Sequence, residues 1–150
     1  MPTWRPKLWL CVAPASVCAL DAAVTLIFQP ATYWSGDLET VNEISMIDRW
    51  MLVQHPLVFV GWVLAWITAF SMAILWLPLR ASQVFALTLI LGNAAGASSW
   101  IIWRITNGFW ICNVLFLTIG ALVVVTWREA GMLSLAKGAR AEADRTPRGT

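Results

Sequence analysis

Residues 8–28, LWLCVAPASVCALDAAVTLIF, form an unbroken apolar run whose one charged side chain is Asp21. About 20 predominantly apolar residues are enough for an α-helix to cross the hydrocarbon core of a bilayer, so this stretch reads as a membrane span. Arg5 and Lys7 precede it, as basic residues precede a secretory signal. The run continues past Asp21 to Phe28, longer than a signal core, and no small-x-small site closes it. The segment is therefore expected to be retained as a span.

Three more stretches have the same character: residues 57–77, 83–105 and 109–127. Composition agrees with them. Of 150 residues, 59% are hydrophobic and 12% charged, and the mean hydropathy is +0.71. A soluble domain is about 25% charged, so this chain has roughly half the charge that a water-facing surface requires. Disordered chains, nucleic-acid binders and disulfide-stapled secreted modules are excluded on the same ground. The expected fold is all-α, a polytopic membrane protein built as an antiparallel four-transmembrane-helix bundle. Residues 1–130 would form the membrane domain, and residues 131–150, small, polar and charged, a flexible cytoplasmic tail.

Orientation follows from Lys and Arg in the short flanks. Arg5, Lys7, Arg80 and the basic residues from Arg128 onward lie on one side, while Arg49 and Arg104 lie on the other among Asp37, Glu39, Glu43 and Asp48. This predicts a multi-pass protein of a bacterial inner (plasma) membrane with both termini cytoplasmic. Pro78 to Ala81 is short enough to force a hairpin between spans two and three. Asn107 and Gly108 suit the turn and cap before span four. On the outer side, Ser45-Met-Ile-Asp48 reads as a capping box and places a short helix near residues 46–54 between the first two spans.

Eleven tryptophans stand in the chain. Trp4, Trp9, Trp76 and Trp127 fall at the inner boundary and Trp34, Trp50, Trp103 and Trp110 at the outer one, where indole favours the headgroup zone. Trp62 and Trp66 lie mid-span, one turn apart. They form a candidate apolar pocket, or pack against Gly92, Ala95, Gly96 and Ala97 of the third span.

Asp21 is the most informative residue. It lies about 12 Å from the outer end of its span at 1.5 Å per residue. A carboxyl at that depth costs a few kcal/mol on insertion scales, so it should face the bundle interior and find a partner. With Thr25, Asn93, Ser98, Ser99 and Asn113 it forms a candidate intramembrane polar cluster, and an Asp21–Asn93 or Asp21–Ser99 hydrogen bond is the simplest arrangement. Glu43, His55 and Arg104 form a candidate outer mouth, with Arg104 an interfacial anchor able to reach lipid phosphate or the loop carboxylates.

No cofactor or metal site is expected. Cys11, Cys18 and Cys112 are scattered without a Cys-x-x-Cys pair and read as small buried hydrophobes; one histidine supplies no axial pair for haem. The expected partners are the lipid bilayer and a second membrane helix or copy approaching through Gly92 and Gly96, a Gly-x-x-x-Gly step. Two functions fit: a non-enzymatic binding, accessory or structural subunit, or a proton-coupled small-molecule transporter or intramembrane enzyme using Asp21 as its proton-carrying group. Catalytic sites usually converge more titratable groups than appear here, which favours the first.

Overall fold

The structure is a computed structural model that describes the backbone of residues 4–143 and the side chains of residues 7–128. Its regular elements, among the described residues, are all helical: α1 (Trp4–Ile27), α2 (Ala31–Trp34), a 3-10 turn (Leu38–Thr40), α3 (Met46–Gln54), α4 (Pro56–Trp76), α5 (Leu79–Arg104) and α6 (Gly108–Ala143). Four of these are long and apolar enough to cross a membrane: Lys7–Ile27, Pro56–Trp76, Leu79–Arg104 and Gly108–Arg128. The chain is thus an all-α bundle of four membrane-length helices, with the short α3 between the first two, as the sequence predicts. One end of the bundle carries residues 29–54 (the loop end); the other carries the hairpin turn (the hairpin end).

Local chemistry explains the boundaries. Ser45 caps α3, its hydroxyl accepting from the Asp48 amide at 3.4 Å. Pro56 occupies the first position of α4, where its missing N–H is no loss, and His55 Nδ1 accepts from the Leu57 amide at 3.1 Å. The α4–α5 turn contracts to Leu77 and Pro78, so α5 starts four residues before the predicted residue 83. Two side chains make so tight a turn possible by bonding the last carbonyls of α4. Ser82 Oγ donates to Ile74 O at 2.7 Å and Leu77 O at 3.1 Å, and Lys7 Nζ donates to Leu75 O at 3.1 Å and Leu77 O at 2.5 Å. Between α5 and α6, Asn107 takes φ 64°, and a Cβ on Gly108 would collide with the Ile101 carbonyl. The helical backbone of α6 runs on through Ala143 into the stretch expected to be a tail. Residues 131–143 are rich in Ala, Leu, Glu, Lys and Arg, good helix formers that extend a helix already nucleated; residues 144–150 lie outside the described residues.

The packing order was not readable from hydropathy. α1 touches α4, α5 and α6, and its most extensive contact is with α5, to which it runs parallel; α4 and α6 flank this pair and do not touch each other among the described residues. Small side chains let the central pair approach: Ala13 and Val17 pack with Ile90 and Ala94. Nearer the loop end Val24 packs with Ile101 and Cys112, and at the hairpin end Leu10 and Cys11 pack with Phe70, Ile74 and Ala86. Leu64, Leu91, Leu117 and Val124 stay exposed on the outside of the bundle, the apolar surface that a span turns to lipid.

Over the loop end sits a second small core of Tyr33, Val41, Leu52 and Phe59. The Tyr33 hydroxyl donates to Leu52 O at 3.0 Å. Gln29, buried at the end of α1, binds the loop as a strand would: its Nε2 donates to Asn42 O at 3.4 Å, and its Oε1 accepts from the Asn42 amide at 2.9 Å. These bonds hold α3 across the mouth of the bundle. Trp34, Trp50, Trp103 and Trp110 are exposed at this end and Trp9 and Trp76 at the other. Trp127 instead packs on the hairpin-end core, its buried indole N–H meeting no acceptor among the described residues. The Trp4 side chain lies outside the described residues.

Candidate binding cleft

α4 and α5 are packed together near their turn, where Phe70, Ile74 and Ala86 share a core. Towards the loop end an opening is lined by residues of both. The opening is floored by α1 and overhung by α3, and it holds two adjoining cavities of about 370 and 380 Å³. Asp21, Thr25 and Asp48 border both. The first is walled by Phe59, Trp62, Val63 and Trp66 of α4 and by Asn93 of α5. The second is walled by Asn42, Glu43 and Ile44 of the loop and by Gly96, Ser99, Trp100, Trp103 and Arg104 of α5.

Asp21 reaches this position because α5 gives way to it. A Cβ on Gly96 would stand 2.8 and 2.9 Å from the two carboxyl oxygens of Asp21, closer than real Cβ atoms come, so a larger residue here would make the carboxyl shift. Gly92, one turn away, has open space around its Cα and lies on the exposed side of α5. The two glycines of the Gly-x-x-x-Gly step therefore serve different neighbours: one admits Asp21 and the other is at the surface.

The polar residues named from the sequence divide into two groups. Asp21, Thr25, Asn93, Ser99, Glu43 and Arg104 border the cleft together with Trp62 and Trp66, whereas Ser98, Asn113 and His55 do not. The expected Asp21–Asn93 and Asp21–Ser99 hydrogen bonds do not form. Asn93 Nδ2 donates to Leu89 O at 2.8 Å, Ser99 Oγ to Gly96 O at 2.6 Å, Ser98 Oγ to Ala94 O at 2.6 Å and Asn113 Nδ2 to Phe109 O at 2.8 Å. Each donor takes the carbonyl one turn back on its own helix, always within reach of a short polar side chain. Glu43 and His55 of the candidate outer mouth are engaged locally. Glu43 Oε1 accepts from the amides of Ile44 and Ser45 at 2.8 and 2.9 Å, and His55 is exposed and engaged as the cap of α4.

Of the two arrangements open to the tryptophan pair, the structure places both rings on the wall of the first cavity. Trp62 and Trp66 stack on each other with centroids 6.5 Å apart and planes 15° apart, and Trp66 meets Phe70 edge-on at 6.2 Å. Both border the cavity, and a Cβ on Gly92 would meet no side chain within 4 Å. Across the cleft, the Arg104 guanidinium lies 5.6 Å from the centroid of the Trp100 ring, which stacks in turn with Phe28 at 6.5 Å. The cysteines are free and buried; Cys11 and Cys112 direct their thiols to main-chain carbonyls, and Cys18 borders the first cavity.

Sequence reading passed over Asn42, Ser45, Ile47, Phe59, Trp100 and Trp103 as cleft residues and treated Asp48 only as a loop charge and capping partner. Asp48 and Ser45 reach the cleft because α3 folds back over it. The capping box was the one signal available, and it located the helix but not the direction in which it packs.

No protein-family model, curated protein or solved structure matches this chain. Among the described residues no group of three His, Cys, Asp or Glu side chains is arranged to hold a metal. Chemically, the cleft offers a wide aromatic surface on one side and carboxyl groups at its floor and mouth, with a single guanidinium at the rim.

Proposed function

We propose that this chain is a non-enzymatic membrane protein that holds a small amphipathic molecule or a lipid in the cleft between α4 and α5. The observation that carries this reading is the pair of adjoining cavities meeting at Asp21. Their volumes fall within the range of small-molecule sites, and an apolar wall with a few convergent polar groups is the usual lining of such sites. A catalytic reading needs a nucleophile or base in hydrogen-bond reach of a second group. Here the side chains of Ser99 and Asn93 are bonded to their own helices and His55 is spent on a cap. The charge bias of the flanking segments supports an orientation with both termini in the cytoplasm.

Ligand binding to the folded state raises thermal stability by linkage. The full-length protein, purified in neutral detergent, is therefore screened by thermal unfolding against amphipathic molecules of different head groups. At least one class is expected to raise Tm by several degrees, and Trp62→Ala and Trp66→Ala are each expected to weaken the effect. A flat profile across all classes overturns the reading. Because Asp21 borders both cavities, a second reading, proton-coupled transport with Asp21 as carrier, is also supported. It predicts proton-driven uptake into proteoliposomes that Asp21→Asn abolishes.

A further inference from the structure

The hydrogen-bonding balance of the cleft points to the chemistry of its occupant. Three carboxyl side chains, Asp21, Glu43 and Asp48, border the two cavities, against one guanidinium, that of Arg104. Two of the polar lining side chains are engaged elsewhere: the Asn93 amide and the Ser99 hydroxyl donate to carbonyls of α5. With three carboxyls against one guanidinium, the ionisable groups of the cleft lining favour a cationic head group over an anionic one.

Its walls favour cations for an independent reason. The face of an indole ring attracts a positive charge lying within about 6 Å of its centroid. Arg104 already exploits Trp100 in this way at 5.6 Å. Trp62 and Trp66 carry no such partner among the described residues and, with Phe59, line the cavity that ends at Asp21 and Asp48. The opening lies between two helices whose outer faces are apolar, which suits a ligand whose tail stays in the acyl layer.

We propose that the cleft recognises an ammonium group carried on an apolar body, the ammonium held among Asp21, Asp48 and the indole faces of Trp62 and Trp66. This inference rests on the reading of the cleft as a ligand site. The same chemistry is presented by the ammonium head group of a zwitterionic phospholipid and by a free hydrophobic amine.

Three dansyl-tagged alkyl probes of equal chain length test it, one ending in trimethylammonium, one in the isosteric tert-butyl group and one in sulfonate. Binding to the full-length protein in neutral detergent is read by energy transfer from tryptophan. The ammonium probe is expected to bind about tenfold more tightly than the tert-butyl probe, a factor in keeping with a partly desolvated cation–π contact beside a carboxylate. The sulfonate should bind weakest. Asp21→Asn should remove most of the preference and Asp48→Asn part of it, with size-exclusion profiles unchanged for both. Equal binding of ammonium and tert-butyl probes, or a preference that survives both variants, overturns the proposal while leaving a ligand cleft in place. Binding of none of the three overturns the cleft reading and this inference with it. Native mass spectrometry separates the sources. A co-purified zwitterionic phospholipid that the ammonium probe displaces identifies a head-group site, and uptake of the probe by lipid-free protein identifies a site for free amines; either result sustains the proposal.

Discussion

At the scale of single residues, the contact between Asp21 and Gly96 defines the cleft. Because a Cβ at position 96 would stand 2.8 Å from the Asp21 carboxyl, Gly96→Ala forces either the carboxyl or the helix to shift. The carboxyl ends a flexible side chain beside open space, so the expected cost is about 0.5–1.5 kcal/mol, that of holding it off its preferred rotamer. In the Asp21→Ala background the same change should cost little, and unfolding of the four variants in detergent as a double-mutant cycle reads the coupling; additive effects would show that the two residues do not meet. Tyr33 offers a second test, since it is the sole tyrosine of the chain and lies outside the spans. Burial pushes its phenol above the usual value of 10.0. The native state therefore keeps this proton over a range in which the unfolded chain has lost it. Stability should be independent of this group below about pH 10 and fall as pH rises beyond it. Tyrosinate absorbance should appear only at higher pH in the folded protein than after unfolding. Tyr33→Phe should remove that alkaline loss and cost about 1 kcal/mol for the bond to Leu52 O.

At the scale of elements, helix ends explain most of the design. α4 ends on carbonyls that water does not reach freely, and Lys7 from α1 and Ser82 from α5 satisfy them. Lys7→Met and Ser82→Ala should each lower stability by about 1 kcal/mol, the net worth of a hydrogen bond to a carbonyl with limited access to water, with little effect on ligand binding at the opposite end; thermal unfolding followed by circular dichroism, beside the dansyl titration, measures both. Much of this level was legible in the sequence. The capping box Ser45-Met-Ile-Asp48 located α3, and Pro56 marked the start of α4, because caps and proline act through bonds only a few residues long. The reach of Lys7 to Leu75 and Leu77 was not legible: it crosses nearly 70 positions of sequence and exists only once α1 and α4 lie side by side.

At the scale of the whole molecule, α1 is the hub. Of the four spans it is the most buried, 44% of its apolar window against 11% for α6, and it parallels α5 while α4 and α6 flank the pair without meeting. Four crossings put the residue 29–54 segment and the α4–α5 turn on opposite faces of the membrane. A cysteine placed at Gly36 and one placed at Arg80, in a background with Cys11, Cys18 and Cys112 replaced by Ala, should react with an impermeant thiol reagent from opposite sides of sealed vesicles. Labelling of both from the same side would overturn the four-crossing topology. The sequence by itself determined the number of spans, their rough limits and the inward-facing need of Asp21, since the lack of hydrogen-bonding partners in lipid leaves an apolar stretch of this length one stable form and an acid within it few places to go. Which surfaces meet was decided by tertiary structure alone. Interhelical contacts in a bilayer follow from close packing rather than from polarity differences, and hydropathy carries no record of shape. Hence the polar side chains expected to grip Asp21 turned to their own helices, and the α5 position that faces its carboxyl is Gly96.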